Sequence, residues 1–346
     1  MSTADPNRPP VMHDVAQLAG VSHQTVSRVL NDHPSVRPAT RERVENAIAQ
    51  LGYRRNSTAR ALATRATNTI GVITVDAAEY GPSRTLVSIE AAARAAAYRV
   101  HFVSVPGTDA EHLGEALEYL IAASVDGLIA VAPLQGAARS LQGLRTTIPL
   151  VEVTILDPAT GRPSGVAVDQ VSGAAAATNL LLGLGHRTVV HLAGPPQWLD
   201  TAARIRGWRQ ALATGGRPVL PTLTGDWSAA SGYLAGRQLT GQVAGGQISA
   251  VFVANDQMAL GVMSAMHDAG LQVPGDVSVV GFDDIPEAEF FHPALTTVRQ
   301  DFAEIGRRCI AQMLCLLEGR APAAQPPIET PIIVRASIGP PPARAR

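Results

Sequence analysis

The stretch HDVAQLAGVSHQTVSRVLN, residues 13–31, decides how the first part of this chain is read. Residues 12–19 place Val15, Leu18 and Ala19 on one face of a short helix, Gly20-Val21 interrupts it, and SHQTVSRVL places Val26, Val29 and Leu30 on one face of a second. Ser22 stands where the second helix needs a cap, its hydroxyl able to accept an orphan backbone N–H. The following PSVRPATRERVENAIAQLGY, residues 34–53, predicts a third helix from about Ala39 to Leu51, with Val44, Ile48 and Leu51 as its buried stripe and Gly52 as its stop. Two short helices joined at a glycine and backed by a third make a small all-α helix-turn-helix head.

Charge agrees with that reading. Met1 to Arg65 carries nine arginines against five acids, +4, so a formal net charge of −1 leaves −5 on the rest of the chain. A basic head on an acidic body suits a nucleic-acid binder that meets a different partner elsewhere. The second helix of such a head enters the major groove by its N-terminus, which here presents Ser22, His23 and Gln24, with Arg28 one turn on. Gln24 has the amide that pairs with adenine and Arg28 the fork that pairs with guanine. His13, Thr25 and Asn31 suit phosphate contact or capping, and Ser27 is counted with the DNA-binding residues of the same helix. An ordinary helical hairpin with a polar outer face satisfies the same pattern.

Beyond Tyr53 the run RRNSTARALATRAT has too few large apolar residues to fold against itself and reads as a linker. From Thr69 onward strand-like runs alternate with helix-length segments: TIGVITV, RVHFVSV, DGLIAVA, IPLVEV, VAVDQ, TVVHLAG, PVLPTLTG, AVFVAND and VSVVGFDD. Such alternation predicts parallel sheets with right-handed crossovers, and this many strands suit two linked α/β units. A ligand cleft is then expected at the C-terminal ends of the strands. The strings DTAARIRGW, GDWSA, VANDQ and GFDD put Arg204, Trp227, Asn255 and Asp283 at such ends. Amide, carboxylate and guanidinium beside an aromatic face suit a ligand rich in hydroxyls. Each also has a structural reading: helix caps for Asn255 and Asp283, a surface ion pair for Arg204, a core aromatic for Trp227.

Other classes lack support. At 46% hydrophobic residues the chain is ordinary globular protein, with no apolar run long enough to cross a membrane. The opening MSTADPNRPPVMHDVAQ is unlike a secretion signal, which predicts a cytoplasmic protein and argues against a sugar-binding transport component. Dinucleotide, phosphate-loop, serine-nucleophile and metalloprotease signatures are missing, so no enzyme activity, cofactor or metal is expected. Cys309 and Cys315, six apart, read as packing residues.

The two quoted head strings together resemble the DNA-binding head of the lactose and galactose repressor family. HLAGP, GDWSAASG, VANDQMALG, DVSVVGFDD and PALTTVRQDF extend the resemblance through the body. It implies a periplasmic-binding-protein-like α/β core of two subdomains, linked by three crossovers. The implied divisions are a head at 10–53, a hinge at 54–67, an N-terminal subdomain at 68–168 and 300–327, and a C-terminal subdomain at 169–299 and 328–340. It implies a homodimer on near-palindromic double-stranded operator DNA, with Asn56, Ala59 and Leu62 of the hinge at the minor groove and Leu62 as the wedge between base steps. It further implies a repressor released by a small sugar, galactoside-like, with Arg204, Trp227, Asn255, Asp283 and Gln300 at the sugar and Phe302 at the pocket wall. A purine-like co-repressor is the regulatory alternative. His23 departs from the tyrosine of the type member, so base preference there differs. AAEYGPSR and LVEVTILDPATG depart from the family's first pocket loop and acidic pocket segment, with Glu152 the candidate acid. The closing PPPARAR carries no leucine-rich helix of the kind that joins dimers into tetramers.

Overall fold

The computed structural model describes residues 10–53, 66–75, 78–105, 110–132, 134–136, 148–154 and 165–343. It divides into two compact units, Met1–Thr67 and Asn68–Arg346. Asn56, Ala59 and Leu62 lie outside the described residues.

In the first unit α1 (Met12–Ala19) ends at Gly20, whose φ of +63° is left-handed backbone that a glycine adopts without strain. Ser22 caps α2 (His23–Leu30), its Oγ accepting from the Thr25 N–H at 3.2 Å. α3 (Pro38–Leu51) opens on a proline, which has no N–H to leave orphaned. Val15, Ala16, Ala19, Val26, Val29, Val44, Ala47 and Tyr53 form the core, with Leu30, Ile48 and Leu51 packed against it. Leu18 is not part of it and is 46% exposed. At 100° per residue the buried face of α1 centres on Val15, Ala16 and Ala19, which turns Leu18 away. Arg41 ties α3 to the end of α2, donating to Asp32 Oδ1 at 2.6 Å and to the His33 carbonyl at 3.3 Å.

The second unit holds two sheets. In chain order its elements begin β1 (Thr69–Val75), α4 (Tyr80–Ala95), β2 (Arg99–Val105), α5 (Ala110–Ala122), β3 (Gly127–Val131), β4 (Leu150–Thr154) and β5 (Gly165–Ala167). They continue α6 (Gln170–Gly183), β6 (Val190–Ala193), α7 (Leu199–Thr214), β7 (Leu223–Thr224), α8 (Ala229–Ala244), β8 (Ala250–Val253), α9 (Asp256–Asp268) and β9 (Ser278–Asp283). A 3-10 turn (Pro286–Phe290), β10 (Thr296–Arg299), α10 (Phe302–Leu317) and β11 (Ile332–Ile333) complete them.

The first sheet has the order β2-β1-β3-β4-β5 and the second β11-β10-β9-β8-β6-β7. Every pairing is parallel except β11, which runs antiparallel to β10 at the edge. Strand order reverses between β1 and β3 in one sheet and between β6 and β8 in the other, and the crevice at such a switch point is where α/β sheets bind ligands. Helices cover both faces, so strands such as β1 and β9 are almost wholly buried and read as continuous apolar runs. Cys309 packs into the core of the first sheet beside Ile89 and Met313, where burial pushes its thiol up.

Two strand readings change. PVLPTLTG pairs only at Leu223–Thr224, because Pro218 and Pro221 have no ladder N–H to give. TTVR is a strand of the second sheet although its threonines obscure it as an apolar run.

Three passes of the chain between the sheets lie side by side. Val168 pairs with Ile328, Thr330 Oγ1 donates to the Asp169 carbonyl at 3.0 Å, and Gln170 Nε2 donates to Gln300 Oε1 at 2.7 Å. The site is built around this bundle.

Candidate functional site

In the head, α2 turns Val26 and Val29 to the core, which by helical spacing leaves Gln24, Ser27, Arg28 and Asn31 on the opposite face. His23, Gln24, Arg28 and Asn31 are exposed, while Ser27 and Thr25 are half-buried. Ser22 and Thr25 bond each other through their hydroxyls at 2.9 Å. The side chains of Gln24 and Arg28 have no hydrogen-bond partner among the described residues, so their donors are available to another molecule.

In the second unit two adjoining cavities share Gly81, Pro82, Asp200 and Gln300. Arg204, Trp227, Asn255, Asp283 and Gln300 line the smaller, and Gln300 and Phe302 line the larger. Asp283 ends β9, Asn255 follows β8 and Gln300 follows β10, so three strand ends deliver three polar side chains to one place.

There they close a ring. Arg204 Nε donates to Gln170 Oε1 at 3.0 Å, Gln170 to Gln300 as above, Gln300 Nε2 to Asp283 Oδ1 at 2.6 Å, and Arg204 Nη2 returns to Asp283 at 3.6 Å. Arg204 also donates to the Ala254 carbonyl, and its guanidinium lies over the Phe282 ring at 3.8 Å. With its side chain 3% exposed, it is no surface ion pair. Burial raises the Asp283 carboxyl to about 6, against the opposing pull of Arg204 and the Gln300 hydrogen bond.

Backbone strain collects at the same place. Trp227, Asp283 and Asp284 have φ of +75°, +108° and +54°, conformations that cost an L-residue about 1–3 kcal/mol each. Asp284 is anchored by Arg299 Nε at 2.6 Å and Arg335 Nη2 at 2.7 Å, which holds the turn after β9. The Trp227 indole packs edge-on to Trp198, with ring centres 5.4 Å apart, and lies against Gly194, where any Cβ would collide with the ring. Its Nε1 has no hydrogen-bond partner among the described residues.

Asn255 is both cap and wall: its Oδ1 accepts from the Met258 N–H at 3.0 Å, and its Nδ2 donates to the Trp227 carbonyl at 2.9 Å and to Gln257 Oε1 at 3.0 Å. Phe302 meets Tyr80 edge-on at 5.8 Å, bringing the first turn of α4 to the site where the sequence suggests a pocket loop. On β4 the cavity wall is Val153 and not Glu152, since neighbouring strand residues point to opposite faces. The acid that does line both cavities is Asp200, legible only as the first letter of DTAARIRGW.

The sequence pattern of the lacI family of bacterial regulatory proteins matches residues 11–56, and that of a periplasmic binding protein-like domain matches residues 178–338. The lactose operon repressor of Escherichia coli (strain K12) is 35% identical over 316 residues, covering 91% of this chain and 86% of the relative. This chain belongs to the lacI family. Another relative, the HTH-type transcriptional regulator GalS of Salmonella typhimurium, is 36% identical over 307 residues, 86% of each protein. The crystal structure of the lac repressor dimer bound to operator and the anti-inducer ONPF superposes with a TM-score of 0.85 at 34% identity, covering 95% of this chain and 99% of that one. As a lacI-family member the protein is a DNA-binding transcriptional regulator and not an enzyme, and the expected head and two-subdomain α/β core are both present. Among the described residues no helix is long and apolar enough to cross a membrane.

Proposed function

We propose that this regulator is a cytoplasmic repressor that holds a near-palindromic operator as a homodimer and lets go when a small, galactoside-like sugar fills the cavity. The observation that carries the sugar reading is the ring of Arg204, Gln170, Gln300 and Asp283 at the cavity wall beside Trp227. Donors and acceptors alternate in it as hydroxyl groups require, and an apolar ring face can lie on the indole. Likeness to the lactose operon repressor supports the galactoside class.

Gln170 and Gln300 belong to the crossovers between sheets, so a ligand that competes for the ring acts directly on the segments that set the two lobes. It shifts their population as far as it binds one arrangement better than the other. In this reading the lobes divide at 68–168 with 300–327 and 169–299 with 328–340, and residues 54–67 are the hinge. Ser22, His23, Gln24, Thr25, Ser27, Arg28 and Asn31 meet the major groove, and Asn56, Ala59 and Leu62 the minor groove.

Gel shift on DNA upstream of the neighbouring genes, followed by a sugar panel, tests both parts. A specific complex at physiological salt that a galactoside dissolves is the expected result. A complex that no sugar affects overturns the effector class, and tighter DNA binding on adding a purine base would replace it with co-repression. Trp227→Ala should abolish the sugar-induced fluorescence change, and an unchanged affinity removes Trp227 from the site.

A further inference from the structure

The three passes between the sheets, 167–170, 299–302 and 328–332, are not all held together in the same way. Backbone joins the third pass to the other two: the Ile328 N–H donates to the Ala167 carbonyl at 2.8 Å, the Asp169 N–H to the Ile328 carbonyl at 2.9 Å, and the Arg299 N–H to the Pro331 carbonyl at 2.8 Å. Side chains join the first pass to the second, Gln170 Nε2 donating to Gln300 Oε1 at 2.7 Å. Both glutamines are more than nine-tenths buried, and both line the larger cavity. Of these links, theirs is the one whose donor and acceptor both belong to a cavity wall.

The direction of this link is fixed from both ends. An arginine only donates and an ionised carboxylate only accepts, so each amide between Arg204 and Asp283 turns its oxygen toward the arginine and its nitrogen toward the acid. Turning either amide over would set donor against donor and acceptor against acceptor in a buried site. The Gln170–Gln300 bond is therefore either made or given up. A ligand hydroxyl can break it, because one hydroxyl accepts from Gln170 Nε2 and donates to Gln300 Oε1 in place of the direct bond.

We propose that the Gln170–Gln300 bond is a latch that favours the operator-holding arrangement of the two lobes, with Gln170 the positioning residue through which an effector unfastens it. The inference rests on the reading above, that the ligand-free protein holds operator and a sugar releases it. If operator binds one arrangement and sugar the other, the ratio of sugar affinity to ligand-free operator affinity is proportional to the equilibrium constant between them, whatever its starting value. Loss of the latch raises that ratio. A variant that is merely less stable binds operator more weakly but cannot bind sugar more tightly.

The test compares Gln170→Met, which keeps the length of the side chain and removes both its hydrogen bonds, with Gln170→Glu, which keeps the acceptor for Arg204 and removes the donor to Gln300. Full-length protein, its active fraction fixed by stoichiometric titration, is titrated at about pH 8 onto an operator that the unmodified chain selects from a random-sequence pool. Sugar affinity is read from tryptophan fluorescence with D-galactose, methyl β-D-galactoside and D-glucose. In both variants operator binding should weaken and sugar binding tighten, raising the ratio by about fivefold or more, the factor that one hydrogen bond of ordinary strength commands.

A ratio that is unchanged or falls in Gln170→Met, or operator and sugar binding that weaken together, overturns the inference and leaves the sugar reading standing. A rise confined to Gln170→Met assigns the effect to the support of Arg204 and also overturns the latch. If none of the three sugars binds the unmodified chain, the sugar reading falls and operator affinity decides alone: weaker binding in both variants supports the latch, and any other result overturns it.

Discussion

Replacing Arg204 by methionine removes the one positive charge in the ring and strands what it holds. The side chain of Asp283 is 6% exposed and stays in place, while Gln170 Oε1 and the Ala254 carbonyl lose a donor. Even with Arg204 present, a carboxyl held at about 6 instead of 3.8 costs about 3 kcal/mol once it is ionised. Taking the arginine away raises that carboxyl further, and a broken buried pair generally costs about 3–5 kcal/mol. Arg204→Met should therefore lose about 3–5 kcal/mol at pH 8, measured by urea unfolding with tryptophan fluorescence at one fixed protein concentration.

The pH dependence carries a sign. The folded-state pKa of Asp283 is raised, so its favourable contribution is complete below 3.8 and lost as pH rises through the folded value. The deficit of Arg204→Met should accordingly shrink by at least about 1 kcal/mol between pH 8 and pH 5, as the stranded carboxyl takes up a proton. In Arg204→Met/Asp283→Asn the charge is absent, so the double variant should lose about 1–3 kcal/mol less than the two single losses added together. A deficit under about 1 kcal/mol, or one as large at pH 5 as at pH 8, refutes the assignment of Arg204 as the counter-charge of Asp283.

Ser22→Ala removes the cap of α2 and should cost the head about 1 kcal/mol, seen as a lower thermal midpoint for the helical signal; an unchanged midpoint would mean water replaces the hydroxyl. Arg28→Ala should weaken specific operator binding by about 1–3 kcal/mol with little effect on random DNA, and equal loss on both would make Arg28 a phosphate contact. Gly194→Ala drives a methyl into the Trp227 ring and should impair the sugar response while operator binding without sugar persists; a normal response shows that the indole position does not matter.

The head and the layer architecture are legible in the sequence because both depend on local rules. Helical period, Ser22 and Gly20 suffice for the helix-turn-helix, since each works through neighbours within one turn. Strand runs such as TIGVITV and VSVVGF stand out because helices cover both faces of each sheet and leave them wholly apolar. Counting apolar letters puts Leu18 on the core face, although the rotation of α1 favours the small Ala16.

What depends on distant partners is hidden from the sequence. Nothing near Arg204 indicates that its partners are Gln170, Asp283 and a carbonyl 50 residues on, nor that Gln170 is part of the site at all. Glu152 is an acid in the middle of a strand and Asp200 an acid at a helix start; only the pleat of β4 and the placing of α7 decide that Asp200 reaches the cavity. Helical period, capping chemistry and strand alternation determined the helix-turn-helix head and the layers, because those are properties of adjacent residues. The charge and donor balance of the pocket was decided only by tertiary structure, because it sums side chains that three crossovers and two sheets bring from separate parts of the chain.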